Sequence, residues 1–175
     1  MGAITRRDFV KGVAAAGALM ILPSSRVRGA NDRIRVGLIG CGGRGTGAHL
    51  PGFARLAGVA VVAVSDPDRE RMAGAAKIIE SQYGGKADQY VDMRELLDRR
   101  DIDVIANATQ NYWHGLSTIW ACQAGKHVYV EKPLSHYIWE GRQMVNAARK
   151  YNRIVQCGTQ HRSEANIIQA IQWIR

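Results

Sequence analysis

Short apolar segments that alternate with helix-like segments constrain the fold of this 175-residue chain more than any other feature. Each segment is rich in β-branched residues and nearly continuous in apolar character, which is typical of strands buried on both faces of a parallel sheet. The segments span residues 34–40, 59–66, 102–109, 126–132 and 153–159. The alternation therefore predicts an α/β fold with a doubly wound parallel sheet, in which ligands bind at the carboxyl ends of the strands.

The intervening segments carry helical periodicity. Apolar residues recur at intervals of three and four within residues 72–79 and along one face of residues 134–148. Ser135 is placed to cap the second of these helices, and residues 93–99 predict a short helix. Pro51 interrupts the helix that follows the first strand, so we expect that helix to be kinked or to start late.

The first apolar segment runs directly into a glycine-rich loop, GCGGRG, with G-x-G-x-x-G spacing. In a Rossmann-type sheet, the first glycine permits a tight turn. The second lets the backbone approach a pyrophosphate, and the third lets helix and strand pack closely. Backbone N–H groups at the start of the following helix then face the anion. The candidate cofactor-binding residues of this loop are Gly40, Gly42, Gly43, Arg44 and Gly45.

The second apolar segment ends in a carboxylate, Asp66, 21 residues after Gly45. A carboxylate at this position accepts hydrogen bonds from the adenine-ribose diol and repels a 2′-phosphate, which favours NAD over NADP. Arg69 and Arg71 follow closely and are able to turn toward a phosphate, so NADP stays open.

Two further strand ends carry polar sequence that sheet packing does not explain. The sequence ATQNYWHG follows the third segment, and the fourth segment runs into Glu131, Lys132 and Pro133. An adjacent acid and base at the end of a buried strand mark either a place where the sheet meets water or a reactive site.

Together, these features resemble the Gfo/Idh/MocA oxidoreductase family from Ile34 to about Arg162. Family members carry the glycine loop, an acid after the second strand, a T-P-N-x-x-H-like turn and the triplet E-K-P. All four occur here in order, with Gln110 in place of the usual proline of the turn. The sequence GTQHRS at residues 158–163 is similar to an exported branch of the family.

The resemblance implies roles for individual residues. Lys132 is implied as a catalytic residue beside the nicotinamide and the substrate hydroxyl. Glu131 is implied to hold the cofactor side or to orient the lysine, and Thr109 and Asn111 to line the cofactor crevice. His114 is either a second catalytic residue that contacts substrate or a satisfied structural histidine.

The implied activity is that of an oxidoreductase acting on CH–OH groups, which moves hydride between tightly bound NAD, or NADP, and a sugar or polyol. Two alternatives stay open: a nucleotide-binding fragment without turnover, and an NAD-dependent glycosidase whose cofactor is oxidised and re-reduced within one cycle. Because those glycosidases usually lack the lysine of E-K-P, Lys132 argues against the second alternative.

Family enzymes also have a second domain, an open antiparallel sheet that forms the substrate wall and the oligomer interface. We expect the dinucleotide-binding domain at residues 31–160 and only the start of a truncated substrate domain at residues 161–175. A homo-oligomer is then expected only for a full-length protein.

The first residues, 1–30, have the layout of an export signal. A basic segment, TRRDFVKG, precedes the apolar run VAAAGALMIL, which is too short to span a bilayer. The pair Arg6 and Arg7 resembles the twin-arginine signal, which predicts the twin-arginine export machinery as a partner and a periplasmic or otherwise exported location. Cleavage before Ala30 and an uncleaved anchor are both open.

Charge and cysteines indicate no other class of partner. The net charge of +9 includes no block of like charges, so a nucleic-acid partner is not indicated. Cys41, Cys122 and Cys157 show no CxxC spacing and no companion histidines, which indicates small buried residues rather than metal ligands.

Overall fold

A computed structural model of the protein describes residues 33–174, which form a six-stranded parallel sheet with flanking helices. The predicted signal segment and its twin-arginine pair lie outside the described residues. The strands are β1 Ile34–Ile39, β2 Val59–Ser65, β3 Asp88–Tyr90, β4 Val104–Asn107, β5 His127–Glu131 and β6 Val155–Gly158. Their order in the sheet is β3-β2-β1-β4-β5-β6, and every neighbouring pair is parallel. This order confirms the predicted doubly wound sheet, with its reversal point between β1 and β4.

Helices connect successive strands. The α-helices are α1 Leu50–Ala54, α2 Arg69–Tyr83, α3 Met93–Leu97, α4 Asn111–Gln123, α5 Ile138–Lys150 and α6 Ala165–Ile174, and a 3₁₀ turn spans Gln160–Ser163. A π-helical turn, Gly45–His49, precedes α1, and Pro51 lies in the first turn of α1, where no backbone donor is needed. The helix after the first strand is therefore irregular, and its α-helical part begins only at Leu50, as the position of Pro51 predicts.

The core consists of two apolar clusters formed by alternate side chains of the strands. Leu38 belongs to one cluster and Ile39 to the other, and Ala63 and Val64 divide in the same way. Because successive side chains of a strand point to opposite faces, the two clusters cover both faces of the sheet. This double burial explains why the strands read as nearly continuous apolar runs.

Two features differ from the sequence expectations. The edge strand β3 was not predicted, because Asp88, Gln89 and Tyr90 carry no apolar run and pair only with β2. The start of α5 also differs: Ser135 does not cap the helix, which begins three residues later.

The cap of α5 comes from within the helix. Tyr137 is the N-cap residue, and Glu140 Oε2 accepts hydrogen bonds from the backbone N–H groups of His136 and Tyr137 at 2.9 and 3.2 Å. A carboxylate in the first turn thus satisfies donors that the helix leaves free, and it also complements the helix dipole.

The cysteines behave as small buried residues. Burial raises the pKa of Cys41 to about 12 and that of Cys122 to about 11, and Cys157 is half-buried. Among residues 33–174 no group of three His, Cys, Asp or Glu side chains has the arrangement of a metal site. In the same range, no helix has the length and apolar character needed to cross a membrane.

Candidate cofactor and active-site crevice

The candidate site is a crevice of about 520 Å³ at the carboxyl ends of the central strands. It lies at the reversal of strand order, where Ile39 of β1 is paired with Asn107 of β4. Side chains from the loops after β1, β4, β5 and β6 line it, among them Arg44, Thr109, Asn111, Lys132, Gln160 and His161. This is the position at which doubly wound sheets bind ligands.

The glycine loop after β1 has no room for side chains at two of its positions. Gly40 has a φ of +91°, and a Cβ atom there would lie 2.6 Å from the carbonyl carbon of Ala108. A Cβ atom at Gly45 would lie 1.9 Å from the carbonyl oxygen of Gly40, whereas one at Gly43 would meet nothing within 4 Å. The loop therefore depends on Gly40 and Gly45 for its shape.

Asp66 braces the glycine loop from the end of β2. Its carboxylate is 9% exposed and accepts hydrogen bonds from the N–H groups of Cys41 at 2.7 Å and Asp68 at 2.9 Å. Arg71 is nearby: its Nη1 atom lies 3.6 Å from the position of a Cβ atom at Gly42, and its Nε pairs with Asp68 at 3.1 Å. Asp66 and Arg71 thus meet the loop on its β2 side, away from the crevice at β4 to β6.

Glu131 connects three strand-end loops. Its Oε1 atom accepts hydrogen bonds from Arg44 Nε at 2.6 Å, His49 Nε2 at 2.9 Å and Gln160 Nε2 at 2.5 Å. Its Oε2 atom accepts the backbone N–H of Lys132 at 3.0 Å. The carboxylate, 4% exposed, therefore holds the glycine loop, the helical turn after it and the β6 loop against the end of β5.

The charge of this cluster follows from its hydrogen bonds. Burial alone would raise the pKa of Glu131, but the hydrogen bonds from His49, Arg44 and the Lys132 N–H outweigh it and lower the pKa to about 2. Burial lowers the pKa of His49, and its hydrogen bond with Glu131 opposes this shift without reversing it. A neutral His49 that donates from Nε2 to an ionised Glu131 agrees with the lowered pKa of each of the two residues.

Lys132 lies at the mouth of the crevice. Its side chain is exposed and lines the crevice, and its backbone is held by the Glu131 carboxylate. The peptide bond from Lys132 to Pro133 is cis. The lysine thus faces open space next to the glycine loop and the end of β4.

His114 is buried between two turns. Its Nδ1 atom lies 2.7 Å from the carbonyl oxygen of Pro133 and its Nε2 atom 3.0 Å from that of Thr109. Only 2% of the residue is exposed. Because both ring nitrogens face backbone carbonyls, His114 ties the turn after β4 to the turn after β5, and the geometry favours its structural alternative.

The structure places six of the eleven sequence-predicted site residues in the lining of the crevice and adds others, whereas Gly40, Gly42, Gly43, Gly45 and Asp66 are not part of that lining. The six residues in the lining are Arg44, Thr109, Asn111, His114, Glu131 and Lys132. Four contributors were not foreseen from the sequence: His49, Gln160, His161 and Glu164. None of the four belongs to a local pattern that marks a site. Gln160 and His161 lie within the GTQHRS sequence that the family resemblance singled out, but no role was predicted for either residue.

These features define a class: a Rossmann-type dinucleotide-binding domain with an acid–base pair at the end of its fifth strand. The sequence matches the profile of the oxidoreductase family with an NAD-binding Rossmann fold over residues 34–159. The chain belongs to this Gfo/Idh/MocA family.

Curated relatives of the chain are named as glycosyl hydrolases rather than as oxidoreductases. The chain is 32% identical over 171 residues to a glycosyl hydrolase family 109 protein from Shewanella pealeana. This match covers 84% of this chain and 37% of the relative. The chain is 36% identical over 126 residues to glycosyl hydrolase family 109 protein 1 from Bacteroides fragilis, covering 68% of this chain and 26% of the relative. The chain therefore spans less than two fifths of the length of these relatives.

Two of the solved structures that superpose on the chain are named as an oxidoreductase and a dehydrogenase. An NAD binding oxidoreductase from Klebsiella pneumoniae superposes with a TM-score of 0.68 at 29% identity, over 82% of this chain and 39% of that one. Myo-inositol 2-dehydrogenase from Lactobacillus plantarum gives a TM-score of 0.71 at 25% identity, over 81% of this chain and 41% of that one.

Proposed function

We propose that this chain is the dinucleotide-binding part of an exported oxidoreductase that transfers hydride between NAD and a CH–OH carbon of a sugar or polyol. The observation that carries the proposal is Lys132, exposed in the crevice and held through its backbone by the buried Glu131. Export rests on the twin-arginine-like sequence at Arg6 and Arg7.

The residues present fit a dinucleotide. Gly40 and Gly45 leave the loop backbone bare of side chains, so that a pyrophosphate is able to approach its N–H groups. Asp66 stands at the end of β2, on the side where an adenine ribose would lie, and Arg71 stands beside it. Bound NAD would supply the hydride acceptor at the crevice.

The chain's own contribution is at the substrate oxygen. Lys132 Nζ accepts a hydrogen bond from the substrate hydroxyl and takes up its proton as the carbonyl forms, and in the reverse direction it returns the proton to the oxygen. A cationic donor acts most strongly when the oxygen carries alkoxide character, which is the transition state for hydride loss. Glu131 positions the lysine through its backbone N–H.

A second function, that of a glycosidase with internal oxidation and re-reduction, is favoured by one observation. The curated relatives are named glycosyl hydrolase family 109 proteins. Both functions begin with removal of hydride from a sugar carbon, and they differ in whether reduced cofactor accumulates. Lys132 continues to favour the oxidoreductase.

Calorimetry and a pair of assays test the proposal. We expect NAD to bind more tightly than NADP, and Asp66→Asn to narrow that preference because its amide no longer repels a 2′-phosphate. The protein with NAD is then offered neutral polyols and, separately, nitrophenyl glycosides.

Accumulation of reduced nicotinamide with a polyol would support the oxidoreductase. NAD-dependent release of nitrophenol without such accumulation would support the glycosidase instead. Binding of NAD without either reaction would leave only a nucleotide-binding module, and absence of NAD binding would overturn the whole proposal.

A further inference from the structure

The loop after β6 forms a wall of the crevice that the proposed function does not use. Gly158, the last residue of β6, pairs in register with Glu131 of β5, so the loop begins beside the E-K-P triplet. Three of its side chains line the crevice together with Lys132: Gln160, His161 and Glu164.

The loop is held in place by a buried partner. Gln160 Nε2 donates to Glu131 Oε1 at 2.5 Å. At Gly158, a Cβ atom would lie 2.9 Å from both Gln160 Nε2 and the hydroxyl oxygen of Tyr129. A glycine before the loop thus allows Gln160 to turn back into the site, and this contact places the next residues over the crevice.

His161 is oriented within this loop. Its Nδ1 atom lies 2.8 Å from Glu164 Oε1, and the two side chains are 83% and 46% exposed. A carboxylate only accepts hydrogen bonds, so Nδ1 carries the proton and Nε2 of the neutral ring is left as an acceptor. An exposed pair of this kind contributes little to stability. Its position in the crevice lining therefore points to contact with a ligand rather than to a role in folding.

We propose that His161, oriented by Glu164, binds the sugar or polyol by accepting a hydrogen bond from a substrate hydroxyl next to the carbon that Lys132 addresses. This inference rests on the proposed function and names a residue of its substrate site. Lys132 lies after β5 and His161 after β6, so the two side chains come from adjacent strand ends. Lys132 offers hydrogen-bond donors and His161 offers an acceptor, and two neighbouring hydroxyl groups of one sugar are able to bind to these two side chains.

Nuclear magnetic resonance of the 175-residue protein tests this role directly. The protein carries isotope-labelled histidine and is saturated with NAD, and it is titrated with myo-inositol and with methyl glycosides of neutral pyranoses. We expect the ring resonances of His161 to shift with at least one of these compounds. His161→Ala should weaken the binding of that compound about 3–10-fold, the value of one hydrogen bond.

Three further variants separate recognition from structure. Glu164→Gln should weaken sugar binding several-fold, because the amide no longer fixes the tautomer of His161. His161→Gln should retain more affinity than His161→Ala. The matched control is His136→Ala, which removes an exposed histidine that is absent from the crevice lining and should leave sugar binding unchanged.

The outcomes distinguish this inference from the proposed function. If NAD does not bind the unaltered protein, the proposed function fails. If NAD binds, and either no sugar perturbs His161 or His161→Ala binds sugar as the unaltered protein does, His161 has no substrate role and only this inference is overturned.

Discussion

One buried carboxylate organises the site at the scale of single residues. Glu131 accepts hydrogen bonds from Arg44 and His49 in the segment after β1, from Gln160 in the loop after β6, and from the Lys132 backbone. Hydrogen bonds of this kind favour the ionised form of a carboxyl group. The same contacts that place the lysine therefore couple the stability of the site to the ionisation of Glu131.

This coupling predicts an acid sensitivity. The pKa of Glu131 is lowered from 4.5 to about 2 in the folded protein. Its ionised form therefore stabilises the fold above pH 4.5, and this contribution is lost as the pH falls toward 2. The lost free energy of unfolding should be on the order of 3 kcal/mol.

Urea unfolding at a series of pH values measures the effect. The free energy of unfolding of the unaltered protein should fall more steeply across this window than that of Glu131→Gln, which is less stable at neutral pH because it loses charge-assisted hydrogen bonds. Glu80→Gln, at an exposed position, is the control and should follow the unaltered protein. Parallel profiles for Glu131→Gln and the unaltered protein would contradict the coupling.

Lys132 predicts a separation between turnover and cofactor affinity. Under the proposed function, Lys132→Ala should lower turnover roughly 10²–10⁴-fold, because the proposed proton transfer between Lys132 and the substrate oxygen would be lost. NAD affinity should change far less, since the glycine loop and Asp66 lie at other strand ends. Lys132→Arg should not restore turnover, because arginine does not release its proton in this range.

Steady-state kinetics and calorimetry on the active protein check the Lys132 prediction. Lys86→Ala, which removes an exposed lysine that does not line the crevice, serves as the control. Turnover equal to that of the unaltered protein in Lys132→Ala would show that the lysine has no part in the chemistry.

Among the elements, the glycine loop has the strictest steric requirements. Gly45→Ala should disturb the loop, because its Cβ atom would lie 1.9 Å from the carbonyl oxygen of Gly40. We expect a loss of about 1–3 kcal/mol in the free energy of unfolding, as for other overpacked sites, and a marked loss of NAD affinity. The matched control is Gly47→Ala in the turn that follows the loop, where a Cβ atom would meet nothing within 4 Å.

Thermal unfolding and NAD calorimetry of the two alanine variants measure the steric effect. If Gly45→Ala changed neither stability nor NAD affinity, or if Gly47→Ala caused an equal loss, the close approach of Gly40 and Gly45 would not govern the loop.

At the scale of the whole molecule, the sheet and both core clusters are contained within residues 33–174. Contacts group residues 33–174 into one compact unit. We therefore expect a variant that begins at Arg33 to unfold at the same urea concentration as the 175-residue protein and to bind NAD with the same affinity. A lower unfolding midpoint or a weaker NAD affinity would show that the preceding residues contribute to the folded unit.

The sequence by itself determined the class of fold and the place of the candidate site. Strands buried on both faces must be apolar at nearly every position, so the central strands were visible as continuous runs. The glycine loop was equally visible, because its backbone geometry excludes side chains at Gly40 and Gly45. The edge strand β3 was not visible in the sequence, because a short polar strand that pairs only with β2 has no run of apolar residues.

Only the tertiary structure decided how the strand ends work together. His49 and Gln160 lie 82 and 29 residues from Glu131 in sequence, and they meet its carboxylate only because the register of parallel strands aligns their loops. The same holds for His114, whose ring nitrogens reach carbonyls of two different turns. Local sequence patterns encode backbone conformation and burial, whereas contacts between loops depend on the order and register of the sheet.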